Sequence, residues 1–400
     1  MEQLKIKNLV IEYRSRIQAG NCFIHFNNAL DQHQTKVSLK ATEIIIQVDD
    51  DVYKVETKEF FDINIKSFHS LLVKDTFISF RFITANNKQF DTEVLKVNGS
   101  YDKGQRIKLN FDSSNGEEEE VSVTCSNCGS LLTTSKTITL KRILELPSNN
   151  LDVSDWFCHR HNDEKIFNNS HTERDSSSNC FNEETQQFQP KTNDLFYGPF
   201  CLLMNSSLFE KSRFRQKRNL IHCKRCLQLL GESNSNSHIK FWWESIHFTN
   251  KLFFAVDNPI VLIKNVIRNH LSTDGLVVVT PIVKIIFETT IPNADQKMHV
   301  LIQVMEKHLQ LLQLNMESSQ LAEKKSIKVM YLMLNQSNAD DERTLKYWQK
   351  DINTTTFELS FKMFHTLCEY LKTQSELIPE VYRTNNCFQL SYIELSNVNV

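Results

Sequence analysis

Apolar and polar residues alternate with a period of two through most of the first 123 positions. "LKIKNLVIEY", "CFIHF", "VSLKATEIIIQV", "TFISFRFIT", "EVLKVNGSYD" and "RIKLNF" carry the alternation, and clusters of Asn, Asp, Gly and Lys separate them. Successive side chains of a strand point to opposite faces, so the pattern predicts half-buried strands forming an antiparallel sheet or sandwich. Asn115-Gly116, between "RIKLNF" and "EEEEVSVTC", predicts a hairpin turn. The four glutamates Glu117 to Glu120 fit either the solvated start of a strand or a surface for a basic partner.

The alternation then stops. From Asn162 to Asp194 aliphatic residues nearly vanish, which predicts a disordered insertion with too little apolar surface to offset the entropy of ordering. "GESNSNSH", Gly231 to His238, reads as a linker. Beyond it, "IKFWWESIHF" reads as a strand, "IVLIKNVIRNHL" as a helix, and "GLVVVTPIVKIIFET", "KMHVLIQVME" and "IKVMYLML" as strands. Phe357, Phe361, Phe364, Cys368 and Leu371 recur at three- and four-residue steps and mark an amphipathic helix, and "CFQLSYIEL" closes as a strand. The expected fold class is α+β. An antiparallel β-rich domain spans 1–123, a cysteine-rich zinc platform spans 124–231 with the disordered insertion 162–194, and an α+β domain spans 238–400.

Composition narrows the function. A chain of 400 residues with 40% apolar content can bury a large core. Its 46 basic and 48 acidic residues nearly cancel, so any charged partner must use a local patch. No apolar run approaches the roughly 18 residues that cross a bilayer, and "MEQLKIKNLVIEYRSR" alternates where a signal peptide needs a continuous apolar stretch. The expectation is a cytoplasmic and nuclear protein with no membrane partner. Ten cysteines in a reducing compartment then point to metal binding, reactivity or burial rather than disulfides.

Two pairs stand out, Cys125-Ser-Asn-Cys128-Gly129 and Cys223-Lys-Arg-Cys226. Two residues between thiolates let a tight turn aim both sulfurs at one ion, and a glycine after the second cysteine tolerates the backbone such a turn needs. Cys125, Cys128, Cys223 and Cys226 together fill a tetrahedral shell, so the expected cofactor is one structural zinc. The pairs stand 94 residues apart, and that ion would staple distant segments. Within the excursion lies "VSDWFCHRHND". Its Trp156, Phe157, Cys158, His159 and His161 admit three readings: a second metal site, a loop anchored by the aromatic pair with its histidines in water, or a thiol activated by neighbouring imidazoles. From Lys211 to Arg225, seven basic residues and no acidic one surround Phe214, which suits a phosphate backbone, a solvated face or a protein-docking surface. Nothing has the spacing of a base-reading finger, and nucleic acid is not the expected partner.

C-x-x-C-G at 125–129, "PSNNLDVSDWFCH" at 147–159, "NDLFYGPF" at 193–200 and C-x-x-C-L-x-L-L-G at 223–231 resemble, in the same order, the HECT-like family of ubiquitin-protein ligases that bind ubiquitin-conjugating enzymes. The resemblance implies a ubiquitin-conjugating enzyme and ubiquitin as partners, and transfer of ubiquitin to substrates. It also implies a link to the zinc-dependent endonuclease that cleaves pre-mRNA before polyadenylation. In that alternative the chain is a non-enzymatic inhibitor or assembly chaperone, with Trp156 to His159 and His161 contacting the nuclease and Cys158 entering its site as a ligand. In the enzymatic reading Cys158 is the candidate catalytic thiol, with His159 or His161 as base. The C-terminal thioester segment of a true HECT lobe is not matched: the nearest stretch, Thr354-Thr355-Thr356-Phe357-Glu358-Leu359, has no cysteine. Cys368 falls on the apolar stripe of its helix and Cys387 opens a strand.

Overall fold

The computed structural model describes residues 6–85, 119–146, 190–233, 237–249, 258–272, 282–292, 294, 296–315, 318, 320–334 and 338–395. Strands dominate, with few helices. The largest sheet has ten strands, drawn from both ends of the chain. Its main path runs Thr384–Asn385, Phe388–Glu394, Gln320–Met333, Lys297–Asn315, Ile6–Arg14, Ala19–Phe26, Phe77–Ile83 and His69–Lys74. Two further strands branch from it: Lys284–Thr290 pairs with Lys297–Asn315, and Thr354–Glu358 lies parallel to Lys284–Thr290. The expected division at residue 123 therefore does not divide this sheet. Ile11 faces Leu312 across an antiparallel ladder.

The strand Lys297–Asn315 makes this possible. It is 19 residues long, and one edge serves two partners: residues 297–303 pair with Lys284–Thr290, and residues 310–313 pair with Ile6–Arg14. Between them its register against Gln320–Met333 shifts twice, at Val304/Glu306 and Glu306/Leu309. Such bulges bend a strand and increase its twist. Its two ends accordingly feed different cores. Val300, Ile302 and Val304 join a large core with the cysteine-rich region, and Leu312 joins a second core with Leu9, Ile24, Phe80 and the small sheet Thr35–Leu39, Glu43–Val48 and Asp51–Glu56.

A seven-stranded sheet carries the central region, in the order Arg142–Glu145, Asp194–Tyr197, Cys201–Asn205, His238–Trp242, Leu229–Glu232, Leu220–Cys223 and Phe214–Lys217. Gly231 is needed where two of these strands meet, because a Cβ there would lie 1.9 Å from the carbonyl oxygen of Lys240. Of the insertion expected over 162–194, residues 162–189 lie outside the described residues. Residues 190–194 are placed, and Asp194 is buried, accepting from Arg142 Nε at 2.8 Å and from the Lys191 backbone at 3.0 Å.

The helices follow their sequence signals where the signal is a stripe. α1 (Pro259–Ser272) begins with proline, after Asn258 accepts from the Ile260 backbone. α2 (Ala339–Gln349), capped by Asn338, buries only Trp348 and carries no periodic signal. α3 (Phe361–Ser375) is capped by Ser360 and buries Met363, Phe364, Leu367, Cys368 and Leu371. Phe357, read as the first residue of that stripe, instead lies in the strand Thr354–Glu358. Ser360 starts the helix three residues later because its hydroxyl accepts from the Met363 backbone at 3.0 Å. α4 (Glu380–Arg383) sets Tyr382 against Phe23 and Ser79 of the N-terminal strands.

Candidate metal centre

The two cysteine pairs sit on two turns built alike. In the first, the strand Val123–Cys125 ends in a turn where the Gly129 backbone donates to the Cys125 carbonyl at 2.9 Å and the Cys125 backbone donates to Ser130 at 2.9 Å. In the second, the strand Leu220–Cys223 ends where Leu227 donates to the Cys223 carbonyl at 2.8 Å and Cys223 donates to Gln228 at 2.9 Å. Both turns need a left-handed residue at the same point, Gly129 at φ +64° and Leu227 at φ +61°.

The turns face each other. The four sulfurs lie within 4.8 Å of one another, with Cys125 Sγ 3.6 Å from Cys226 Sγ and Cys128 Sγ 3.6 Å from Cys223 Sγ. Four thiolates about 2.3 Å from one ion at tetrahedral angles stand about 3.8 Å apart, so this cluster fits a closed structural zinc site. The thiols differ in acidity. Burial pushes Cys125 up to about 12. Burial also opposes the Cys226 thiolate, but hydrogen bonds from the Gln228 backbone, Asn127 and the neighbouring cysteines outweigh it and bring Cys226 down to about 6. A bound cation would favour the thiolate form of all four.

Gln228 and Ser126, which carry no sequence signal, and two arginines of the basic stretch hold the turns together. Gln228 Nε2 donates to Ser126 Oγ at 3.0 Å, Arg225 Nη1 to the Cys128 carbonyl at 3.4 Å, and Arg213 Nη1 to the Leu131 carbonyl at 2.7 Å. Ser126 Oγ in turn donates to the Glu244 carbonyl at 2.9 Å. The Glu244 carboxyl is buried, accepts from Ser360 Oγ, and is pushed up by burial. One chain of contacts thus runs from the first turn to the cap of α3.

The motif "NDLFYGPF" supports the same frame. The Trp243 indole donates to the Gly198 carbonyl at 2.9 Å, and Phe200 packs edge-on against Phe287 and Phe357. Trp156, Phe157, Cys158, His159 and His161 lie outside the described residues, as do 162–189 and the turn at Asn115-Gly116. Among the described cysteines outside the cluster, Cys22 is fully buried and its thiol pushed far up. Burial likewise pushes Cys201 and Cys368 up to about 11. Cys387 is exposed, just before the strand Phe388–Glu394.

The model of a family described as HECT-like ubiquitin-conjugating enzyme (E2)-binding matches residues 12–390. The chain belongs to this family. Among known proteins it is similar to a human E3 ubiquitin-protein ligase, 22% identical over 330 residues that cover 73% of this chain and 77% of the human protein. The rat protein of the same name is 25% identical over 298 residues, 70% of this chain and 72% of its own length. No solved structure matches. The match spans most of both cores and both cysteine turns, so the centre lies inside the family unit.

Proposed function

We propose that the protein is a ubiquitin-protein ligase that binds a charged ubiquitin-conjugating enzyme and promotes transfer of ubiquitin to substrates, with one zinc held by Cys125, Cys128, Cys223 and Cys226 as the platform. The match of the E2-binding family across residues 12–390 carries this reading. The names of the relatives agree with it.

The described cysteines favour a scaffold over a thioester carrier. Transthiolation needs an accessible, low-pKa thiol beside a base. Cys22, Cys201 and Cys368 have the reverse, thiols held protonated by burial. The cluster thiols are committed to the metal. A scaffold instead orients the thioester of the conjugating enzyme for attack by a substrate lysine, and its contribution is positioning. Cys158, with His159 or His161, and the exposed Cys387 remain as candidates for a covalent route. The endonuclease-inhibitor reading rests on the same segment, and no described contact favours it. Cytoplasm and nucleus remain the proposed compartments.

The test is a single-turnover discharge assay with charged conjugating enzyme and free lysine. Wild type and Cys158→Ser are expected to accelerate discharge equally without a reducible ubiquitin adduct, and Cys223→Ser to lose the acceleration. An adduct on wild type that disappears in Cys158→Ser would replace the scaffold by a covalent intermediate.

A further inference from the structure

The two cysteine turns share a backbone but not the residue at its strained point. Position 129 is glycine, for which a left-handed φ carries no steric penalty. Position 227 is leucine at φ +61°, and the residue is 54% exposed. Leu227 therefore keeps a strain that the first turn avoids, while contributing little to a core. Strained non-glycine residues cluster at ligand-contacting sites, where the surrounding structure holds them in place. Here the Cys223 carbonyl, which accepts from the Leu227 backbone, and the preceding Cys223 and Cys226 in the cluster hold the turn.

The surroundings of Leu227 are basic. Lys224 and Arg225 are exposed on the same turn, and the Lys224 backbone donates to the Arg213 carbonyl at 2.9 Å, which brings the short helical turn Lys211–Arg213 alongside. No carboxylate occurs from Lys211 to Gly231. The carboxyl of Glu210, at the base, accepts from the Ser212 backbone. An exposed apolar side chain on a rigid turn that also exposes Lys224 and Arg225 is complementary to an apolar pocket edged by carboxylates. It meets the cost of association in advance, because the turn is already ordered.

We infer that Leu227 and its basic rim are the point at which the conjugating enzyme docks, through an apolar pocket with an acidic edge on that partner. This rests on the ligase reading above. A protein occupant fits better than single-stranded RNA, which needs aromatic faces to stack its bases. Phe214, the aromatic of the adjoining strand, is half-buried against Phe209 and Phe241.

The test uses the full chain and a panel of purified ubiquitin-conjugating enzymes that vary in surface charge, titrated at about 50 and 300 mM salt, where exposed charges are screened to different degrees. Leu227→Gly removes the anchor and relieves the backbone, so its zinc content and melting temperature should hold or rise while affinity falls at least tenfold. Lys224→Glu should weaken binding most at low salt and flatten the salt dependence. If wild type binds a conjugating enzyme and both variants bind it equally well, the docking inference is overturned and the ligase reading stands. If no conjugating enzyme binds wild type, the ligase reading falls and takes the docking point with it. An oligouridine that binds wild type and is lost by both variants, with conjugating-enzyme binding intact, would reassign the rim to RNA.

Discussion

Glu12 has no solvent contact, yet it is charged. Lys328 Nζ donates to Oε1 at 2.5 Å and the Tyr392 hydroxyl at 2.6 Å, while Arg14 and Asn21 donate to Oε2 at 2.9 and 3.0 Å. Burial alone would raise its pKa, but Lys328 and Arg14 together outweigh burial and bring it from 4.5 to about 2. A carboxylate whose folded pKa is depressed stabilises the fold above its unfolded pKa, and that contribution is lost as pH falls through the folded value. The shift corresponds to about 3 kcal/mol, present at neutral pH and lost mainly between about pH 4.5 and 2. Glu288, held near 2 by hydrogen bonds from His299 and Lys297 that prevail over burial, adds to the same window. Glu12→Gln is expected to lower stability by about 3 kcal/mol at pH 7 because it leaves two cations with a weaker partner, and the gap to wild type should close near pH 2. Urea unfolding across this range measures it, and a gap independent of pH would remove Glu12 from the acid response. No sequence rule pairs Glu12 with Lys328, because their contact depends on strands joined only in the finished sheet. The cysteine turns were legible by contrast, since each C-x-x-C is a local instruction. That the two converge on one site followed from valence alone.

At the scale of elements, legibility tracked apolar periodicity. α3 buries its side chains at helical spacing, so most of it was visible, and Phe357 misled because a strand phenylalanine happens to fall in phase with the stripe. α2 buries one tryptophan and offers no stripe. The basic stretch hid a hairpin, Phe214–Lys217 with Leu220–Cys223, because its outer strand alternates with charged residues rather than apolar ones. Charged edge strands resist pairing with other chains, which gives this one a structural use as well. The linker expected at Gly231 instead begins in a strand, where Gly231 pairs with Phe241. Gly231→Ala should therefore cost about 3 kcal/mol through backbone displacement, since a Cβ there meets the Lys240 carbonyl and not a movable side chain. A melting temperature within a degree of wild type would show that the two strands can separate at no cost.

For the whole molecule, the four-cysteine cluster and the long strand Lys297–Asn315 bring distant chain segments together in different ways. Elemental analysis should find one zinc per chain. Removing it with a chelator should strip amide hydrogen-exchange protection from 119–146 and 194–248 first, while Leu9, Ile24 and Phe80 in the second core stay protected, because binding energy of a structural zinc is folding energy for the elements it joins. Equal loss in both regions would mean that the cores unfold as one. The long strand was legible as a strand, but its two partners were not, since register with Ile6–Arg14 is a non-local property. That pairing has a consequence during synthesis. The N-terminal strand leaves the ribosome with one edge waiting for residues 310–313, and at roughly 5–20 residues per second the partner arrives some 15–60 s later. Throughout that interval Val10 lacks its buried neighbours Leu309, Leu311, Ile378 and Tyr392, so the nascent chain, rather than the finished protein, is the form with the greatest need of a chaperone.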